Sequence, residues 1–297
     1  MSFRGKRNSL RTSTGARSAF RSEIPTLGAT FVGVIDSVGV SSQVAFGTRK
    51  LRSAYSGSAL RVRRSSDNAE LDIGFTASGD LDTTALLAHT GAANGFVVTW
   101  YDQSGNGRDV TQATALAQAQ IVVSGSIHAI GGKAAILFDG LSNVYNRTSF
   151  SMTQQSVNAV AKANALAGVT TIIRQNATVS GTEWSMRYQG PVYHFYRAPT
   201  VPAGAGAPGT VNPHVMTALA SNGTNSEFFA DGTSAWTATA MSTSATNGAL
   251  AIGATPTGTE FVSAYIGEIV VFDVNLTTTQ RQTLERNQGT YFGITVA

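Results

Sequence analysis

The chain has 297 residues, no cysteine, 13% charged residues and a formal net charge of +4. That length suits one large all-β domain, or a domain with an appendage, and a core of this size needs no external staple. The missing cysteines exclude disulfides and thiolate metal sites, and no run of 18 apolar residues exists to form a membrane-spanning helix.

The charge is unevenly placed. Residues 1–66 hold twelve Lys and Arg against two acids, and residues 67–297 hold nine against fifteen. Arg4, Lys6, Arg7, Arg11, Arg17 and Arg21 stand in the first 22 residues with no acid among them. Such a segment buries too little apolar surface to fold alone, so residues 1–30 are expected to form an extended basic arm and residues 31–297 the folded domain. The opening residues also lack the apolar stretch of a secretory signal.

Residues 29–44 read as one or two strands leading into the domain, and residues 45–54 (AFGTRKLRSA) as a short helix with Phe46, Leu51 and Tyr55 on its apolar side. Residues 60–64 (LRVRR) alternate with the two-residue period of a half-exposed strand. A short helix follows over 81–89, with Asp80 or Asp82 placed to cap it. Residues 96–101 read as a buried strand that ends in a polar turn over 102–108. Strand signals then recur at short intervals, over 120–123, 134–138, 156–161, 170–174, 183–188, 192–196, 214–220, 227–230, 249–252 and 264–273, with a Gly/Ala/Pro loop at 200–212. Many short strands separated by turn residues predict an all-β sandwich of the jelly-roll type. An amphipathic helix over 277–288, with Leu284 on its apolar side, precedes a closing YFGI at 291–294.

Residues 48–75 (TRKLRSAYSGSALRVRRSSDNAELDIGF) and 96–112 (FVVTWYDQSGNGRDVTQ) together resemble the start of the catalytic module of fungal-type α-L-arabinofuranosidases, a concanavalin-A-like β-sandwich. The FDG at 138–140, the EFFADG at 227–232 and the strand–helix–YFGI ending are similar to laminin-G-like modules of the same class. The same opening also occurs in phage structural proteins. The resemblance therefore implies a concanavalin-A-like jelly roll and leaves the chemistry to be found.

Retaining furanosidases use two carboxylates about 5–5.5 Å apart, one as nucleophile and one as general acid/base. The resemblance implies a nucleophilic Glu after Gly-Asn-Ala, following two adjacent cysteines, and a general-acid Asp in a Gly-Gly-Asp run after an Ile-Gly strand. The nearest positions here are Thr178, in the run Gln175-Asn176-Ala177-Thr178, and the stretch Ala254-Thr255 after Ile252-Gly253; neither carries a carboxylate. Glu183, Glu227, Asp231, Glu260 and Glu268 remain, and each also reads as a turn, cap or solvated strand residue. On this reading catalysis is lost.

Other residues are weighed as binding groups. Trp100 lies in an apolar strand and reads as core. Trp184, Tyr188 and Trp236 are the candidates for stacking on a glycan, with Tyr193 and Tyr196 as further aromatics. Asp102, Asn106 and Asp109 present oxygens at alternate positions, as a calcium loop does, but the twelfth position is Ala113. A tight turn bonded by its own Asp and Asn is the preferred reading, so no cofactor is expected, with calcium the weaker alternative. The four histidines, His89, His128, His194 and His214, are far apart and read as surface or loop residues.

The sequence thus predicts a non-catalytic phage virion subunit, a capsid- or tail-surface decoration protein. The arm would dock it on neighbouring capsid or tail proteins in many copies, with weak glycan adhesion and neither a membrane nor a specific nucleic acid as partner. The alternative is an arabinofuranosidase-like glycoside hydrolase acting on a surface polysaccharide. A third reading is a bacterial lectin-like module.

Overall fold

The computed structural model describes residues 1–2, 31–153, 156–176, 182–198, 206–220, 226–238, 241 and 244–297. The basic side chains Arg4, Lys6, Arg7, Arg11, Arg17 and Arg21 lie outside the described residues, as do Thr178 and residues 200–205 of the loop expected at 200–212, of which Gly206–Pro208 form a short strand. Residues 31–297 cluster as one unit.

In chain order the first strands are β1 (Ser42–Gly47), β2 (Leu60–Arg64), β3 (Glu70–Ile73), β4 (Gly95–Trp100), β5 (Val110–Thr111), β6 (Gln120–Val123) and β7 (Ser126–Ile127). A small hairpin of β8 (Ala129–Ile130) and β9 (Lys133–Ala134) follows, then β10 (Ile136–Asp139), β11 (Tyr145–Met152), β12 (Ser156–Ala163) and β13 (Val169–Gln175). The last eight are β14 (Trp184–Gln189), β15 (Val192–Arg197), β16 (Gly206–Pro208), β17 (Pro213–Leu219), β18 (Ser226–Ala230), β19 (Thr233–Ala238), β20 (Thr246–Ile252) and β21 (Ser263–Phe272). Three α-helices accompany them: α1 (Val34–Val38), α2 (Thr83–Thr90) and α3 (Thr278–Phe292).

All the pairings are antiparallel and they sort into two layers. One runs β3–β2–β4–β5–β11–β20–β13–β14–β15–β16. The other runs β7–β6–β10–β21–β12–β17–β18–β19, with β1 on β21, and a β4–β6 pairing joins the layers. Directly opposed residues of an antiparallel pair share a face, so alternation sends one set inward. Tyr145, Ile252, Ile173, Met186 and Phe195 are successive cross-strand partners in the first layer, and all are buried in the core. Phe138, Ile266, Ile269, Val157, Met216 and Phe228 meet them from the second. Each such side chain contributes roughly 1.5–3 kcal/mol by burial. The jelly-roll sandwich expected from the strand spacing is present.

The outer face of the second layer is covered. Thr277 caps α3, its Oγ1 accepting from Gln280 N at 3.3 Å while Gln280 Oε1 accepts from Thr277 N at 2.9 Å. Leu284 of α3 packs with Val34, Ile35 and Val38 of α1 on Ala45, Val270 and Phe272, and Phe292 packs on Val160 and Val215. The corresponding face of the first layer instead carries a band of polar side chains, and it holds the candidate site.

The structure differs from the sequence reading in several elements. Residues 34–38 are helical, because Asp36 accepts from Gly33 N at 3.1 Å and Gly39 closes the turn at φ +75°. Residues 45–47 belong to β1 and pair with β21, which removes the helix expected over 45–54. Strand β11 gave no signal, because its stretch YNRTSFSM places polar residues at most positions. The helix over 81–89 is present as α2, and Asp82 is its cap, accepting from Ala85 N at 2.9 Å. The hairpin signal at Asp231-Gly232 is also met: both residues have positive φ (49° and 81°) between β18 and β19.

Candidate active site

The polar band follows from strand register. Asp72, Arg61, Thr99, Thr111, Asn146, Ala251, Arg174, Ser185 and Tyr196 are successive cross-strand partners across the first layer. They therefore line one face from β3 to β15, and only Ala251 is apolar. A second row beside it pairs Thr171 with Arg187 and Arg187 with His194. Thr171 and Arg174 are three apart and would normally face opposite ways. A bulge between Thr171 and Ile173 inserts one residue and puts both on the outer face.

Two loops bring glutamates to the β13–β15 end of this face. The first, between β13 and β14, carries Glu183, and Tyr196 donates from its hydroxyl to Glu183 Oε1 at 3.4 Å. The second follows β20 and carries Glu260. Gly253 opens it at φ +92°, where a Cβ would sit 2.3 Å from the Phe138 ring, so glycine is required there. Thr255 staples it: its amide donates to Thr259 O at 2.8 Å, and its hydroxyl accepts from Thr259 N at 3.0 Å.

Glu260 itself lies in left-handed backbone at φ +57°, a sparsely populated conformation for a residue with a Cβ. Its carbonyl accepts from Thr171 N at 2.8 Å, and its carboxylate Oε2 accepts from Thr171 Oγ1 at 2.8 Å. Arg174 Nη1 stands 3.9 Å from the same oxygen. The guanidinium of Arg187 lies over the Tyr196 ring at 4.6 Å, and that of Arg174 faces the same ring at 6.0 Å. Burial lowers the pKa of Arg187, partly offset by the charge of Glu260. Burial also raises that of Tyr196, with the Glu183 charge adding to it. Beside them His194 is 5% exposed, its Nδ1 is buried without a partner, and burial followed by the charge of Arg187 lowers its pKa to about 4. Two carboxylates, two guanidiniums and a phenol thus surround one patch of the outer face.

The sequence candidates are placed differently from that patch. Trp184 and Tyr188 are fully buried on the core side of β14, so neither can stack on a glycan. Trp184 Nε1 donates to Gln175 Oε1 at 3.3 Å, which satisfies its polar atom inside. Trp236 is half-buried and packs against the core. His194 lies in a buried strand position and not in a surface loop. Asp102 is buried and saturated by its own turn and β1: Oδ1 accepts from Ala45 N and Ser104 N, and Oδ2 from Ser104 Oγ and Arg108 N. Asp109 accepts from Asp102 N at 2.8 Å, and Asn106 Nδ2 donates to the carbonyls of Ser42 and Gln43. These bonds fold the turn, and among the described residues no three His, Asp or Glu side chains converge to hold a metal.

Two of the spare carboxylates are structural. Glu268 is fully buried, paired with Arg49 and bonded by Gln288 Nε2 at 2.9 Å. Asp231 accepts from Val215 N at 2.9 Å and pairs with His214 Nδ1 at 2.6 Å in its hairpin turn. Ala254 and Thr255 are buried, and the loop they open presents Glu260 five residues beyond Thr255. What a reading of the sequence could have used is the two-residue polar alternation of Arg187 and Gln189 with His194 and Tyr196, set between core residues on adjacent strands.

The family model of the α-L-arabinofuranosidase B catalytic domain matches residues 36–180. The chain is similar to that catalytic domain. Among solved structures it resembles a mutant GH54 α-L-arabinofuranosidase soaked with 4-nitrophenyl α-L-arabinofuranoside, at TM-score 0.68 and 15% identity. It also resembles an arabinofuranosidase complexed with arabinofuranosyl-α-1,2-xylobiose, at TM-score 0.68 and 16% identity. In both, the match covers 86% of this chain and 63% of the other, so the chain spans less than two thirds of those proteins. A search of curated proteins finds no match. The arabinofuranosidase match corrects the expectation of a non-catalytic virion subunit, since both the family model and these structures are of glycoside hydrolases. It equally overturns the inference that the chain is no enzyme: that inference rested on Thr178, which is not among the described residues, and on Ala254-Thr255, whose loop carries Glu260. The matched segment ends at residue 180, so Glu183 and Glu260 come from the structure.

Proposed function

We propose that the chain is a glycoside hydrolase of the arabinofuranosidase type, with Glu183 and Glu260 as its carboxylate pair. The observation that carries this is the convergence of the two glutamate-bearing loops on Arg174 and Tyr196. These are the loops after β13 and β20, where the resemblance expects a nucleophile and an acid in that order, and the surroundings of the two glutamates favour the reverse assignment. Each supplies one carboxylate a few residues further along.

Glu260 takes the role of nucleophile. Thr171 Oγ1 fixes Oε2 by donating to it, and Arg174 holds the carboxylate from a second side. Glu183, beside the Tyr196 hydroxyl, takes the role of general acid/base. It would protonate the leaving oxygen as the glycosidic bond breaks, then take a proton from the water that releases the sugar from Glu260. The Tyr196 ring, with Arg187 over one face, offers a firm wall against which a sugar can be oriented. The test is turnover of an aryl α-L-arabinofuranoside by the full chain, with E183Q and E260Q as controls. Release of the aryl group that both substitutions abolish supports the proposal, and release that neither changes refutes it.

A further inference from the structure

The polar band does not end at the two glutamates. Four strand steps from Arg174, about 19 Å at about 4.8 Å per strand, the same row reaches Thr99. There the face sinks into a groove of about 380 Å³ lined by Arg61, Thr99, Tyr101, Asp109, Asn146 and Arg147, among others. Its chemistry is unlike that of a folding contact. Among the described residues the side chains of Thr99, Thr111, Asn146 and Thr148 make no hydrogen bond. Arg147 also lines the groove, and its Nε is buried without an acceptor. A buried N–H with no acceptor costs stability, and a bound ligand is one means of satisfying it. Donors and acceptors are mixed, Arg147 and Asp109 both line the groove, and Arg61 is already held in a bidentate pair by Asp72 at 2.8 and 2.9 Å. Hydroxyls, an amide, one cation, one anion and the Tyr101 ring suit a ligand that is itself neutral and covered with hydroxyl groups.

We infer that the groove is a remote subsite for the neutral main chain of a polysaccharide, aligned by the row from Asn146 to Arg174 with the hydrolytic site several sugar units away. This rests on the proposed hydrolase reading for its catalytic end. It adds that the substrate is a polymer gripped at two places, with affinity supplied at the groove and cleavage at the glutamates. Binding energy gained away from the reacting bond would then lower KM for a polymer and leave a small aryl substrate unaffected.

The test compares the full chain with N146A and R147A, each checked by thermal melting for an intact fold. For branched arabinan the KM of each variant is expected to rise about tenfold, the size of one lost hydrogen bond to a charged or buried group. Kinetics on an aryl α-L-arabinofuranoside should stay within about twofold. An unchanged ratio of polymer to aryl activity in both variants overturns the inference. Retardation in an arabinan-containing gel gives an answer that does not need turnover. If the full chain releases no aryl group yet is retarded, and the variants are not, the hydrolase reading fails and the groove stands. If the full chain is not retarded, the groove fails.

Discussion

Thr171 Oγ1 donates to Glu260 Oε2 at 2.8 Å across 89 residues of sequence, and the amide of the same threonine donates to the Glu260 carbonyl. One strand residue thereby fixes both the backbone and the carboxylate of a loop held in a left-handed conformation. Removing the hydroxyl should loosen the aim of the carboxylate without unfolding the loop. T171V is predicted to lower kcat on an aryl arabinofuranoside about tenfold with a small change in KM, at a stability cost near 1 kcal/mol. Steady-state kinetics with a parallel urea melt measure both.

Trp184 is fully buried and its indole is bonded to Gln175. W184A should cost about 3–5 kcal/mol in a urea unfolding experiment, as large-to-small changes in a packed core do. If Trp184 were a glycan platform, stability would hold and only polysaccharide affinity would fall.

Asp102 receives four hydrogen bonds, one from Ala45 of β1 and three from within the 102–109 turn. D102A leaves the buried Ala45 and Ser104 amides without their acceptor and should destabilise the fold by about 3 kcal/mol or more. Melting temperature should be the same with calcium or with a chelator, which differential scanning calorimetry checks directly.

His194 should set an acid limit on stability. Its folded pKa of about 4 lies below the ordinary 6.5, so between those values the unfolded chain binds a proton that the folded chain refuses. Its contribution is present in full above pH 6.5 and is lost as pH falls to about 4, by up to about 3 kcal/mol for a shift of this size. H194Q should flatten the pH dependence of the urea midpoint across that window.

The legible part of the chain was its layering. Short alternating strands gave the sandwich, residues 277–288 gave α3, and the 48–75 and 96–112 stretches gave the resemblance. The site was less legible because it is made by register. Nothing local in the sequence says that Thr171 and Arg174 share a face, since that depends on the bulge at Ile172. Nothing in the sequence says that Glu183 reaches Tyr196 and Glu260 reaches Arg174 on one patch of the face, since 77 positions separate the two glutamates. The tryptophan and tyrosine of β14 misled for a related reason: the polar residues flanking Trp184 suggested a surface turn, while alternation turns Trp184, Met186 and Tyr188 inward together. The step from missing carboxylates to a virion subunit failed because it tested fixed positions, and the loops can deliver a carboxylate from several residues away.

The hydrolase assignment is decided by release of the aryl group from an aryl α-L-arabinofuranoside by the full chain, E183Q and E260Q. Measurable turnover by the full chain is expected, with a loss on the order of 10²–10⁴-fold in each variant. Turnover that survives both substitutions, or no turnover by the full chain at any pH, would contradict it.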